Sequence, residues 1–161
     1  MNKTSIISSI LFTIFLLTSC SHDRQSPPFN IPDVDVQAEN WNTSIKLVDD
    51  PVLSNSHKNE DILILRLENL SDTPIAFPEN FGMKVITWDG QSWVSIQNNF
   101  YNAGSKVLPT KRSYPLGFLV TASPYVPNLS SSTSIRVIVV GHAQNNDKES
   151  LGAYIDVVLN P

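Results

Sequence analysis

The side chains able to do chemistry are few and scattered. Cys20 is the only cysteine, so it has no disulfide partner within the chain and there is no cysteine-based metal site. The three histidines, His22, His57 and His142, lie far apart, with no His-x-x-x-His pair and no EF-hand-like loop. Asp33, Asp35 and Glu39, and the pair Asp49-Asp50, come nearest to a calcium-binding pattern, but clusters of this size read more readily as solvated strand and turn residues. Serines abound, yet none occupies a Gly-x-Ser-x-Gly elbow, since Gly104-Ser105 and Ser150-Leu151-Gly152 lack that spacing. Six glycines in the whole chain leave no glycine-rich phosphate loop. The expectation is a protein with no catalytic residues, no metal and no cofactor.

The aromatic residues are better placed. Residues 83–88 and 91–96 are β-like runs on either side of Asp89-Gly90. An Asp-Gly pair in that setting favours a two-residue hairpin turn, whose central residues both need φ > 0. A two-residue loop sets Trp88 opposite Gln91 and Ile86 opposite Trp93. Cross-strand partners share a face, so Trp88, Ile86, Trp93 and Lys84 lie together, and Met83, Val85, Val94 and Ile96 lie on the other side. The aliphatic set reads as the core side. Trp88, Trp93 and Ile86, with Tyr101 close by in the chain, then form an outward patch suited to stacking on a sugar or seating a partner protein. The competing reading is a lid, because residues 98–104 follow directly and could fold back over the tryptophans. A change of one residue in the loop would exchange the two faces.

Cys20 takes its meaning from what precedes it. Residues 6–17 form a run of twelve positions, apolar except for two serines and a threonine, with Lys3 in front and Thr18-Ser19-Cys20 behind. This is the charged start, apolar middle and small-residue cleavage site of an export signal. A bilayer span needs about 20 apolar residues, and extending this one would draw Ser21-His22-Asp23-Arg24 into the membrane. Leu17-Thr18-Ser19-Cys20 resembles the lipobox of bacterial lipoproteins. The resemblance implies cleavage before Cys20 and a diacylglyceryl group on its sulfur, whose two chains hold a bilayer where one alone is marginal. Ser21 resembles the default, outer-membrane-directed case in a host with two membranes. The expected location is the cell envelope, lipid-anchored and outside the cytoplasm.

Without residues 1–19 the chain has 142 residues, enough for one domain and a tether. Its 11 Lys+Arg against 15 Asp+Glu give −4 overall, and −5 once Lys3 leaves with the leader. An acidic exported protein is a poor partner for nucleic acid. It also lacks the basic patch that anionic headgroups attract, so membrane contact falls to the lipid. Residues 21–32 hold three prolines among polar residues, a composition that opposes helix and sheet. The expected organisation is a signal peptide at 1–19, a lipidated cysteine and tether at 20–33, and a folded domain at 34–161.

That domain reads as a succession of short strands. Val34, Val36 and Ala38 alternate with polar residues. Residues 43–48 follow, then 62–67, apolar on both faces until Arg66 and so expected in the centre of a sheet. Residues 75–77, the hairpin pair, and runs at 106–108, 116–121, 134–140 and 153–159 complete the set, with Pro109, Pro115, Pro124 and Pro127 between runs. Eight or nine strands with regular turn signals predict an all-β fold, an antiparallel two-sheet sandwich. The stretch Leu65-Arg66-Leu67-Glu68-Asn69-Leu70-Ser71-Asp72-Thr73-Pro74-Ile75 resembles a pattern of immunoglobulin-like domains in bacterial surface lipoproteins. That likeness implies an immunoglobulin-like fold and no particular activity.

The functional expectation is a lipid-anchored, non-enzymatic domain for binding or assembly, with a protein or glycan partner. One alternative is a carbohydrate-binding module using Trp88, Trp93 and Tyr101. Another is a small hydrolase or a protease inhibitor presenting the loop Ser123-Pro124-Tyr125-Val126-Pro127. The attachment is directly testable. Cys20→Ala should abolish incorporation of labelled fatty acid and leave precursor or soluble protein, and equal labelling of wild type and variant overturns the lipobox reading.

Overall fold

The computed structural model describes residues 31, 34–49, 62–89, 91–96, 98–99, 104–120 and 133–159. Cys20, His22, His57, Tyr101 and the loop 123–127 lie outside the described residues. Among the described residues there are ten strands: β1 (Ile45–Asp49), β2 (Ile62–Asn69), β3 (Ile75–Phe77), β4 (Lys84–Trp88), β5 (Trp93–Ser95), β6 (Asn98–Asn99), β7 (Lys106–Leu108), β8 (Ser113–Val120), β9 (Thr133–Ala143) and β10 (Asn146–Leu159).

They form two sheets. The first has the order β1-β2-β8-β6, and the second runs β5-β4-β9-β3-β7 with β10 on the other edge of β9. Every pairing between these strands is antiparallel. β2 is central in its sheet, as its two-sided apolar run requires. Alternate side chains of facing strands fill the space between the sheets: Ile45 and Leu47, Leu63, Leu65 and Leu67, Ile135, Val137 and Val139, and Ala153, Val157 and Leu159 are buried in one cluster. The fold is therefore an immunoglobulin-like, antiparallel two-sheet sandwich.

β3 and β4 lie end to end along one edge of β9. Ala76 faces His142, yet Lys84 faces Ile138, so four extra residues must be looped out between them. The loop is the 3₁₀ turn Glu79–Gly82 (four residues). Asn80, Phe81 and Gly82 have φ of 53°, 58° and 57°. For Phe81 this left-handed backbone costs about 1–2 kcal/mol, less than the roughly 2–3 kcal/mol from burying its ring. That ring enters the core at 5.6 Å from Phe77 and 5.2 Å from Tyr114. Gly82 is required because a Cβ there would stand 2.7 Å from the Val140 carbonyl oxygen.

Two sequence expectations change. Val34, Val36 and Ala38 do not belong to a strand: residues 34–37 join no ladder and Ala38–Asn40 is a 3₁₀ turn. Alternation marks an extended segment facing an apolar surface whether or not it joins a sheet. Pro115 sits inside β8, opposite Arg66, rather than between runs. Among the described residues, β6 pairs only with Val120 and Leu119, so no second ladder is described at Pro115, whose missing N–H suits such a position.

Asn69 joins the two layers. It is 1% exposed, at the point where the chain leaves β2 for the second sheet. Its Nδ2 donates to the carbonyls of Thr73 at 2.9 Å, Leu108 at 3.1 Å and Pro109 at 3.1 Å. Its Oδ1 accepts from the Ser71 N–H at 2.9 Å and Ser71 Oγ at 2.7 Å. The β2-to-β3 crossing and the β7-to-β8 crossing are thus tied by one amide. Asn69→Ala should cost about 3 kcal/mol or more in a urea melt, since each buried polar group left unpaired costs about 1–3 kcal/mol. Asn69→Asp should cost more still, because it sets a carboxylate against three carbonyls.

Candidate functional site

The β4–β5 hairpin carries the tryptophans. Trp88 faces Trp93, Thr87 faces Val94 and Ile86 faces Ser95. The connection therefore has four residues, not the two that Asp89-Gly90 suggests, and the expected pairs Trp88 with Gln91 and Ile86 with Trp93 do not form. The reason is the Asp89 side chain. Its Oδ1 accepts from the N–H groups of Gln91 at 2.8 Å and Ser92 at 2.7 Å, and Oδ2 accepts from Ser92 Oγ at 3.2 Å. The Asp89 N–H closes the loop on the Ser92 carbonyl at 3.1 Å. A carboxylate that binds amides two and three residues ahead supports a longer turn. These bonds, the Ser92 N–H first and the Gln91 N–H second, hold the Asp89 carboxyl below its usual range.

The register moves by two residues, and side chains alternate with period two, so Trp88, Trp93 and Ile86 still share a face. The indole rings of Trp88 and Trp93 meet at 5.4 Å and 65°. Val85 and Ile96, on the opposite side, are buried between the sheets, and Met83 packs against them.

Across the outer face of the second sheet, Ile86, Arg136 and Asp156 stand in one row on β4, β9 and β10. Arg136 is 5% exposed. Its Nε donates to Asp156 Oδ1 at 2.7 Å and its Nη2 to Oδ2 at 2.8 Å, a two-pronged contact. The guanidinium lies 4.7 Å from the Trp93 ring centre and 4.6 Å from that of Tyr154. Nη1 is buried with no hydrogen-bond partner among the described residues. The two ring faces supply favourable electrostatics that offset part of that cost. The arginine thus fixes the orientation of Trp93 and occupies one of its faces. Sequence reasoning missed it. The available signal was a single base in the apolar run of β9 and a single acid in the apolar run of β10.

A second, smaller core lies on this outer face. Ile31, Trp41, Ile86 and Ile138 are buried in it, with Val34, Val36, Val140, Trp93 and Tyr154 packed against them. Ile31 and residues 34–42 lie against this face as a strap. Ile31, which the sequence reading assigns to the tether, is 7% exposed in this cluster. Trp41 lies against Gly152, where a Cβ would come within 2.4 Å of the indole ring, and meets Tyr154 edge-on at 5.8 Å and 69°. Asn42, at φ 55°, caps the edge of β10: its N–H donates to the Gly152 carbonyl at 2.8 Å and its Oδ1 accepts from the Tyr154 N–H at 2.9 Å. At the far end Asp35, Gln37 and Asn40 line a polar depression with Asn146, Glu149 and Ser150.

Ile86 is covered by this arrangement, while Trp88 and Trp93 remain half-buried. Of the expected lid at residues 98–104, Asn98 and Asn99 pair with Val120 and Leu119 in the first sheet, and residues 100–103 lie outside the described residues. Among the described residues, no group of three or more His, Cys, Asp or Glu side chains is placed to hold a metal ion.

No protein-family model matches the chain, and no curated protein matches it. Among solved structures it is similar to the E. coli chaperone DraB, at 15% identity and TM-score 0.47, over 73% of this chain and 55% of that one. It is similar to the sporulation control protein Spo0M from Bacillus subtilis at 7% identity and TM-score 0.45, over 73% and 49%. It is also similar to the CsuC-CsuE chaperone-tip adhesion subunit pre-assembly complex of Acinetobacter baumannii, at 16% identity and TM-score 0.42, over 65% and 47%. The chain spans about half the length of each.

The asymmetry of the Arg136–Asp156 pair gives a stability test. Asp156→Ala should cost about 2 kcal/mol in a urea melt, because it leaves a buried guanidinium without its carboxylate. Arg136→Met should cost less, because it keeps the packed stem and leaves only Asp156, whose side chain is 46% exposed, to water.

Proposed function

We propose that this chain is a lipid-anchored, non-enzymatic binding domain of the cell envelope. Its partner is a protein, and its contact surface is the Trp88–Trp93 pair on the outer face of the second sheet. The observation that carries this reading is that two large aromatic rings stand half-buried outside the core between the sheets, one of them held rigid by Arg136. Tryptophans fixed in advance lose little freedom on binding and are over-represented among the residues that dominate interface energy.

A protein partner is favoured over a glycan by the ring geometry. A sugar-stacking platform needs open, roughly coplanar rings. Here the rings are 65° apart and one face of Trp93 is taken by a guanidinium. A notch of that shape suits an inserted apolar side chain. The anchoring part of the proposal rests on the export signal and the lipobox-like Leu17-Thr18-Ser19-Cys20, with Ser21 directing the protein to the outer membrane where there are two membranes.

The test compares acylated wild type with Trp88→Ala. The variant should lose about 1.5–2.5 kcal/mol of stability, because Trp88 is only half-buried, half the cost of truncating a fully buried aromatic. It should also lose about 30-fold or more in affinity for the protein it captures from envelope extracts, the signature of a dominant interface residue. Unchanged capture by a folded Trp88→Ala overturns the reading. Fluorescence shifts on titration with glycans, absent in the variant, would favour the carbohydrate-binding alternative instead.

A further inference from the structure

We propose that Arg136 supplies the hydrogen bond of the Trp88–Trp93 surface: a partner segment that sets an apolar side chain against the tryptophans lays one of its main-chain carbonyl oxygens on Arg136 Nη1. The proposal rests on the reading of that pair as the contact surface and adds the polar contact that selects the partner's chemistry.

One donor of Arg136 is left over. The residue is 5% exposed, and its Nε and Nη2 are engaged by Asp156. Nη1 is buried with no acceptor among the described residues. A buried N–H in that state gains more from a new acceptor than an exposed one, because it has no water to give up.

The direction of Nη1 follows from the shape of the group. A guanidinium is planar, and its three nitrogens point to the corners of a triangle. Asp156, on β10, holds the edge formed by Nε and Nη2. Nη1 is the corner opposite that edge. Asp156 and Ile86 flank Arg136 on its two neighbouring strands, so Nη1 is turned away from β10 and toward β4. Trp88 is the next outward residue after Ile86 on that strand.

The rings restrict the approach. β4 and β10 both run antiparallel to β9, so they run parallel to each other. Tyr154 comes two residues before Asp156. Trp88, with Trp93 opposite it, comes two residues after Ile86. The rings of Trp93 and Tyr154, at 4.7 Å and 4.6 Å from the guanidinium carbon, therefore reach it from opposite sides of its row and cover its two faces. An acceptor has to arrive in the guanidinium plane, at Nη1. That atom is closed off from solvent in the free chain, so the partner must part the rim of the notch. Trp93 is clasped by the guanidinium, which leaves the half-buried Trp88 as the ring that moves.

Charge decides between acceptors. Asp156 already balances the guanidinium. A second carboxylate would set an uncompensated negative charge beside Asp156, on a chain that carries −4 overall, whereas a carbonyl adds none. A main-chain carbonyl next to the residue that fills the notch meets both demands, and an extended protein segment offers one at every residue.

The test uses N-acetyl-leucine methylamide, which carries an apolar side chain between two neutral carbonyls. It is titrated into the full acylated chain in detergent micelles, with isotope-labelled arginine followed by nuclear magnetic resonance. The Arg136 Nη1 proton resonance should move downfield and saturate. N-acetylglycine methylamide, which lacks the side chain, should bind about 10-fold more weakly. Arg136→Met should weaken the leucine amide about 10-fold, the worth of a hydrogen bond to a charged group. That variant also releases Trp93, so the proton resonance is the readout that a purely structural arginine would leave unmoved. An Nη1 resonance unmoved by the leucine amide, or equal binding by wild type and Arg136→Met, overturns the proposal. So does tighter binding of N-acetyl-leucine, which ends in a carboxylate, or the same shift produced by methyl glucoside. The two readings fail separately. If the resonance moves but Trp88→Ala binds the amide as wild type does, the Arg136 donor stands and the tryptophan surface does not. If Trp88→Ala loses the amide while the wild-type Nη1 resonance stays unmoved, the tryptophan surface stands and the Arg136 bond does not.

Discussion

A two-layer sandwich buries one face of each sheet, and the second sheet here carries large apolar side chains on both. Val85, Val137, Val139 and Ala153 face the first sheet, while Ile86, Ile138, Val140 and Tyr154 face away from it. Exposing that second set would forfeit about 1.5–3 kcal/mol for each large side chain. The outer face is instead closed piecemeal. The strap covers one end, Arg136 and Asp156 occupy the middle, and the tryptophan hairpin stands half-open at the other end. Among the described residues, the candidate site is the part of this apolar face that stays half-buried.

Two buried polar groups show how differently such groups are accommodated. Asn69 uses donors and acceptor alike, bonding three carbonyls and Ser71, and its position decides where the chain changes layers. Arg136 reaches one carboxylate and leaves Nη1 without a hydrogen bond among the described residues, relying on two aromatic faces. The first arrangement makes the fold specific. The second is a less complete way to bury a charge, and it is retained where it immobilises Trp93. Buried ion pairs give little net stability against apolar replacements, so a gain in surface rigidity is the better account of this one.

The strap lies on the same sheet face as the candidate site. Trp41 sits in the notch left by Gly152, and Asn42 closes the edge of β10, so the chain reaches the domain across the face on which the tryptophans stand. This geometry follows from packing on a sheet surface, with no ladder hydrogen bonds along residues 34–37.

How much was legible beforehand follows from the range of the forces involved. The expected export signal and the lipobox-like stretch at Cys20 rest on local patterns of charge, hydrophobicity and residue size alone. The sandwich was readable because strand period and turn chemistry are local as well, and the sharing of a face by Trp88, Trp93 and Ile86 needed only parity. The register of the hairpin was not readable, because Asp89 binds Ser92 and Gln91 rather than accepting the turn that Asp-Gly favours. Nor was the strap: Val34 and Val36 alternate in the same way whether they join a ladder or lie across a sheet. Arg136 and Asp156 are twenty residues apart, and only the pairing of β9 with β10 brings them together between Trp93 and Tyr154. Local sequence determined which elements form and which way their side chains point. Which apolar face is covered, and by what, was decided by tertiary structure, because burial depends on contacts between segments distant in the chain.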